Sequence, residues 1–177
     1  RAGGVSTGPF ASLNLGRHVG DEPAHVAENQ RRFGAAIGAQ PCWLRQAHGT
    51  RVIDAAAQCS DLAAEADASW TDRRGVACVV QVADCLPVLM AARNGRAVAA
   101  AHAGWRGLAA GVLDTTLDAV VRAAACAACD VEVWLGPAIG PRQFEVGAEV
   151  PDAFRRADAH RLAQRVHSDG GVRWLGE

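Results

Sequence analysis

Neither lysine nor tyrosine occurs in the 177 residues, and all 18 basic side chains are arginine. With alanine filling many neutral positions, this reads as a GC-rich coding bias rather than as chemistry. No arginine can then be singled out by residue type as a bidentate anion ligand, because lysine was never the alternative. Arg106 has to be judged by position. Charge of neither sign dominates, since 18 basic residues face 19 acidic ones for a net charge of -1. No basic stripe is available to neutralise a nucleic-acid backbone, so a nucleic-acid partner is not expected. No apolar run approaches the roughly 20 residues of a bilayer-spanning helix, which excludes a transmembrane helix and leaves a soluble, cytoplasmic protein as the expectation. Internal repeats and low-complexity linkers are absent as well.

Half of the chain is hydrophobic, enough for one well-formed core at this length, and a single domain is the default. The six cysteines are unevenly spaced and do not resemble a small secreted framework, so reduced thiols are expected. Cys126 and Cys129 form one C-x-x-C in an Ala-rich helix end without a second ligand pair at zinc-finger spacing, and read as packing residues. His18, His25, His160 and His167 read as solvated surface.

Glycines and short polar residues over positions 3 to 20 signal loops, with Asn14 prominent in Ser12-Leu13-Asn14-Leu15-Gly16. Asp21 and Pro23 open a helix to about Ile37, with Val26, Phe33 and Ile37 on one face and Gly38 as its stop. Residues 42 to 46 and 51 to 56 read as strands around a His48-Gly49 turn, followed by a loose Ala/Asp/Glu stretch leading to Trp70. Apolar runs at 76 to 82, 86 to 92 and 97 to 101 read as strands. Helical periodicity through Leu108, Val112, Leu113, Leu117, Val120 and Val121 predicts a helix opened by Arg106 and Gly107 and ending near Ala125. A strand at 131 to 135, a Gly/Pro loop from Gly136 to Pro141 and a short helix at 149 to 158 complete the pattern.

Three segments carry the chemistry: Gln46-Ala47-His48-Gly49, Ala83-Asp84-Cys85-Leu86-Pro87 and His102-Ala103-Gly104-Trp105-Arg106-Gly107. Each puts a His or Cys where an apolar run meets a Gly or Pro turn, a position that presents side chains to a cleft. Two imidazoles and one thiolate satisfy zinc and leave a fourth position open. The plainer alternative is a buried small thiol and two unrelated histidines. Asp84 favours the site, because a carboxylate between apolar strands is costly unless it is paired or orients a ligand. The helix start near Arg106 offers backbone N–H groups to a phosphate or carboxylate.

These segments, with Gly3-Gly4-Val5-Ser6, Ser12-Leu13-Asn14-Leu15-Gly16 and Gly136-Pro137-Ala138-Ile139-Gly140-Pro141 in the same order, give the chain its resemblance to a known family. It resembles the polyphenol oxidase (laccase-type) domain family, also described as YfiH/YlmD-like purine nucleoside phosphorylases. The resemblance implies a mixed α/β (α+β) layered sandwich, with a mixed sheet and flanking helices, of the YfiH-like, cysteine-hydrolase-like kind. It implies zinc held by His48, Cys85 and His102 as metal-binding and catalytic residues; copper is the other candidate ion on chemical grounds, because the same ligand set suits it and divalent copper generally outcompetes zinc. It also implies phosphorolysis of adenosine, inosine, guanosine and methylthioadenosine, with adenosine deamination as companion activity. Asn14, Gln46, Asp84 and Arg106 are then the substrate-binding candidates, for a nucleoside and phosphate. Arg142-Gln143-Phe144 departs from the family's two cysteines and aromatic after the Gly-Pro loop. The chain stops at Glu177, short of the family's segment with a Tyr-Arg-Arg stretch, so one catalytic domain over 1–177 without that C-terminal segment is expected.

Three rival functions follow from the same residues. A multicopper laccase would consume more than the six histidines present, and no His-x-His pair exists. A metal-free hydrolase would use Cys85 as nucleophile, one histidine as base and Asp84 as orienter; the resemblance to relatives described as peptidoglycan-editing factors implies a cell-wall precursor peptide as its substrate. A silent interaction protein would bind no metal and turn over no nucleoside.

Overall fold

The computed structural model describes residues 2–59, 64–140, 142–156, 164–166 and 172–174. They fall into two compact units, Arg1–Pro41 with Arg74–Ala77, and Cys42–Arg73 with Cys78–Glu177. The expectations for His160 and His167 lie outside the described residues.

In the first unit, helix α1 (Pro23–Ile37) starts on Pro23 and stops at Gly38, which adopts the left-handed conformation. Its buried face is more polar than the periodicity predicts: Val26, Asn29 and Gln30 are buried, while Ile37 is 43% exposed. The reason is the loop before it. The Asn29 amide donates to Ser6 Oγ and to the carbonyls of Ser12 and Asn14, and accepts from the Val5 N–H, so one side chain organises the N-terminal loop. Strands β1 (Gln40–Cys42) and β6 (Val76–Cys78) pair as a two-stranded sheet.

The second unit is built on a five-stranded sheet of order β3-β5-β8-β7-β9, with β3 at Val52–Asp54, β5 at Ala68–Thr71, β7 at Leu86–Ala92, β8 at Val98–Ala103 and β9 at Val131–Leu135. Only β3 and β5 pair in parallel; the β5–β8, β8–β7 and β7–β9 ladders are antiparallel. Short strands β2 (Leu44–Arg45) and β4 (Ala64–Glu65) pair in parallel beside it, and β10 (Gln164–Val166) pairs antiparallel with β11 (Val172–Trp174). One sheet face carries Ala68, Val88, Met90, Ala99, Ala101 and Ala103, and Val112, Val120 and Ala124 of helix α4 (Val112–Ala124) complete the core cluster with them. The small side chains of β8 let that helix approach closely, which is what a period-2 alanine stripe provides. The opposite face of β8 carries Ala100 and His102. A mixed α/β architecture, sheets with flanking helices, matches the expectation.

Four local expectations change. The predicted helix from Arg106 to Ala125 is two helices, α3 (Trp105–Ala109) and α4, separated at Gly111 with φ +93°. Apolar spacing continues across the break, which is why periodicity alone reads one helix. Strand 76 to 82 ends at Cys78; beyond it Gln81 is held by side-chain bonds to Gln46 instead of a ladder. The run from 51 to 56 is β3 followed by the one-turn helix α2 (Ala55–Gln58), capped by the Asp54 carboxylate. The thiols are not all reduced, because Cys42 and Cys59 form a disulfide with Cα atoms 5.5 Å apart. Spacing could not reveal a pair that folding brings together. Cys126 packs against the core as expected, whereas Cys129 is exposed. Among the described residues no helix is long and apolar enough to cross a membrane.

Candidate metal centre

The β7–β8 ladder sets the first two groups. Leu86 pairs with Ala103 and Pro87 with His102, so Cys85, one residue before β7, comes beside Gly104, one residue after β8. His102 sits inside the end of β8 and is 3% exposed. The third group, His48, arrives on the turn after β2 with a left-handed backbone, φ 59°, which is costly for a non-glycine residue and is maintained only where its surroundings fix it. The His and Cys ligand atoms of His48, Cys85 and His102 all lie within 4.8 Å of one another.

His48 Nε2 lies 3.8 Å from Cys85 Sγ. Tetrahedral zinc with nitrogen at about 2.0–2.1 Å and sulfur at about 2.3 Å has an N···S edge of about 3.6 Å, so the pair is spaced to share an ion. The two imidazole rings meet edge to face, with centroids 4.7 Å apart and planes at 77°. Gly104 makes the room. A Cβ there would sit 2.5 Å from His48 Cδ2 and 3.2 Å from Cys85 Sγ.

Beneath the three ligands lies Asp67, 1% exposed, just before β5. Its Oδ1 accepts from the His48 N–H at 2.8 Å and lies 2.8 Å from His102 Nδ1. Its Oδ2 accepts from the N–H groups of Ala47 at 3.1 Å and Gly49 at 2.7 Å. Burial pushes the Asp67 carboxyl up, but the bonds from His102 and from the Gly49, Ala47 and His48 amides outweigh it and hold its pKa below the usual carboxylate value. Burial raises the Cys85 thiol pKa, and the carboxylates of Asp84 and Asp67 raise it further. A cation at the ligand atoms opposes all three influences.

Cys85 and Gly104 also border a cavity of about 200 Å³ whose walls include Leu86, Trp105, Leu108, Ile139, Phe144 and Phe154. Arg106 is exposed on the five-residue α3, its guanidinium 4.1 Å from the Trp105 ring centroid. The long helix imagined behind it is therefore a single turn and a half. Gln46 makes a reciprocal amide–backbone pair with Gln81, each bond 2.8 Å. Asp84 is exposed on the loop before β7, where its carbonyl accepts from the Ile139 N–H at 2.9 Å, and its carboxylate is not the buried orienter its position suggests. Asn14 belongs to the first unit and bonds Asp21 Oδ2 and the Gly16 carbonyl. Asp67 was missed because it lies in the Ala/Asp/Glu stretch read as a loop; its signal was a single carboxylate immediately ahead of a short Ala-Ser-Trp-Thr strand. Phe144 lines the cavity although its segment departs from the family pattern.

The fold and the site together define a mixed α/β protein with a His/Cys group, set at the β7–β8 end and on the turn after β2, able to take a metal ion. Residues 1–175 match the family described as multi-copper polyphenol oxidoreductase laccase, and the chain belongs to that family. It is 50% identical over 177 residues to the purine nucleoside phosphorylase PA4543 of Pseudomonas aeruginosa, spanning all of this chain and 70% of that one. It is 49% identical over 175 residues to the purine nucleoside phosphorylase YfiH of Escherichia coli, covering 96% of this chain and 69% of the relative. Among solved structures, Neisseria meningitidis NMB0706 superposes with a TM-score of 0.85 at 44% identity, over 98% of this chain and 70% of the other. YlmD from Geobacillus stearothermophilus gives 0.81 at 32% identity, over 96% and 68%.

Proposed function

We propose that the protein is a metal-dependent purine nucleoside phosphorylase acting on adenosine, inosine, guanosine and methylthioadenosine, with adenosine deamination as a second activity. The observation that carries this reading is the placement of Cys85 and Gly104 at once against the His/Cys group and against an apolar, aromatic-walled cavity. The names of the relatives at 50% and 49% identity support it. His48, Cys85 and His102 would hold the ion, zinc in our reading with copper as the alternative, and when bound it supplies Lewis-acid charge stabilisation.

The chain's own residues account for the rest. Trp105, Phe144 and Phe154 enclose the purine, whose faces suit aromatic contact. Arg106, exposed and stacked on Trp105, binds phosphate, and Asp84 at the cavity wall accepts hydrogen bonds from the nucleoside. Gln46, tied to Gln81, fixes the loop ahead of His48. In phosphorolysis a phosphate oxygen bonds to the ribose C1′ while the glycosidic C–N bond breaks. The electron pair leaves with the purine, which takes up a proton, and ribose 1-phosphate remains. We place this chemistry in the cytoplasm, where both substrates occur.

The metal-free hydrolase reading is weaker, because a cysteine nucleophile needs a lowered thiol pKa and burial with two carboxylates raises that of Cys85. For a polyphenol oxidase, metal analysis of protein purified without added copper decides the ion. The test of the main reading is incubation with adenosine, with and without phosphate, separating adenine from inosine. Adenine formed only with phosphate supports it; absence of both products at any metal loading overturns it. Arg106→Ala should lower kcat/KM for phosphate about tenfold, the effect of one lost charged hydrogen bond.

A further inference from the structure

We propose that Asp67 is the positioning residue of this centre: one buried carboxylate fixes both the tautomer of His102 and the left-handed turn that presents His48. The proposal rests on the reading that His48, Cys85 and His102 hold a metal ion.

Four donors converge on the two oxygens of Asp67. Three are the backbone N–H groups of Ala47, His48 and Gly49, which can only donate. The fourth position is His102 Nδ1, 2.8 Å from the same Oδ1 that the His48 amide occupies. An oxygen already serving as acceptor for one amide accepts the imidazole proton as well, so the His102 proton sits on Nδ1 and its Nε2 lone pair is free. With Nδ1 held by Asp67, Nε2 is the nitrogen His102 has left for an ion shared with His48 and Cys85, the ligand atoms of the three residues lying within 4.8 Å of one another.

The same carboxylate solves the backbone problem at His48. Three successive N–H groups wrapped on one anion form a small nest, which compensates the φ of 59° and fixes the direction of the ring. A second contact locks the turn from above: a Cβ at Gly107 would sit 2.7 Å from the Gly49 carbonyl oxygen, so α3 is packed directly on the nest. Asp67 is itself held in place, its N–H bonding the Arg51 carbonyl and its own carbonyl accepting the His102 N–H at 2.7 Å.

An asparagine cannot replace it. One amide oxygen can serve either the Ala47 and Gly49 side or the His48 and His102 side, and the NH₂ group then faces N–H donors on the other. With the NH₂ toward His102, it donates to Nδ1 and drives the ring proton to Nε2, where the ion would bind.

The first measurement uses the unaltered full chain, metal-free at mildly alkaline pH, with nitrogen-15 NMR of the histidine rings. His102 protonated on Nδ1 is the expected result, and protonation on Nε2 overturns the proposal. The second compares zinc and cobalt(II) binding by competition with a chelator in the wild type and Asp67→Asn. The expected loss is about 10- to 100-fold in affinity, with a changed cobalt absorption band and the His102 proton on Nε2. Affinity within twofold of wild type overturns the proposal. Where Asp67→Asn fails to fold, the wild-type tautomer decides alone. Neither readout involves nucleoside turnover, so a protein that binds metal as described but cleaves no nucleoside by phosphorolysis would refute the proposed function and leave Asp67's role intact.

Discussion

Gly104 is the residue at which fold and chemistry are least separable. It ends the β8 run, caps α3, and leaves the space that the His48 ring and the Cys85 sulfur occupy together. With a Cβ 2.5 Å from His48 Cδ2, Gly104→Ala must move the imidazole from its place 3.8 Å from Cys85 Sγ. Backbone conformation is not the obstacle, since φ at Gly104 is -67°, accessible to alanine. The variant should therefore fold with a modest loss of about 1–3 kcal/mol from overpacking. Its zinc affinity should fall at least about tenfold, because a ligand is displaced by a fraction of its bond length. Chelator competition and urea denaturation on the same preparation test both halves; unchanged zinc affinity would show that His48 has another rotamer open to it.

At the level of elements, the break between α3 and α4 allows α3 to seat on the His48 turn while α4 crosses the back of the sheet. Gly111, at φ +93°, turns the chain between them. A Cβ there meets little except Asp114 Oδ2 at 3.5 Å, so the cost of Gly111→Ala is conformational rather than steric crowding. We expect a destabilisation of about 1–2 kcal/mol in urea unfolding, with zinc affinity within twofold of wild type. This junction also shows where sequence reading stops. Apolar residues at Leu108 and Val112 keep helical spacing across it, and only the glycine between them signals a turn. The β7 and β8 strands, the antiparallel neighbourhood of Cys85 and His102, and β9 were legible because apolar runs end there at turn residues. Asp67 was not legible, since its function lies in bonds to amides 18 to 20 residues away, to which neither periodicity nor spacing refers. The Cys42–Cys59 pair escaped for the same reason, a contact made by packing. Asp84 misled because adjacency to Cys85 in sequence placed it on the exposed side of the turn.

For the molecule as a whole, the ligands come from a turn, the start of β7 and the end of β8, so an ion ties together three segments that are far apart in the unfolded chain. An ion that binds only the folded state stabilises it by about 2.7 kcal/mol at a free concentration one hundred times Kd. For a chain of this length each kcal/mol raises Tm by about 2–4 °C, so chelation should lower Tm by about 5–10 °C and zinc should restore it. Cys85→Ala should abolish the shift. The pH dependence has a definite sign. Burial and the carboxylates of Asp84 and Asp67 raise the Cys85 pKa, so the thiol of the metal-free protein is protonated at neutral pH and the ion must displace that proton. Apparent affinity should then rise with pH, by up to about tenfold per unit for one released proton, until the metal-free thiol itself ionises. The zinc-dependent increment in Tm should grow from pH 6 to pH 8 by roughly 1.4 kcal/mol per unit of equivalent stability. Differential scanning calorimetry of the zinc-loaded and chelated protein across that range measures it, and an increment independent of pH would show that Cys85 is not a ligand.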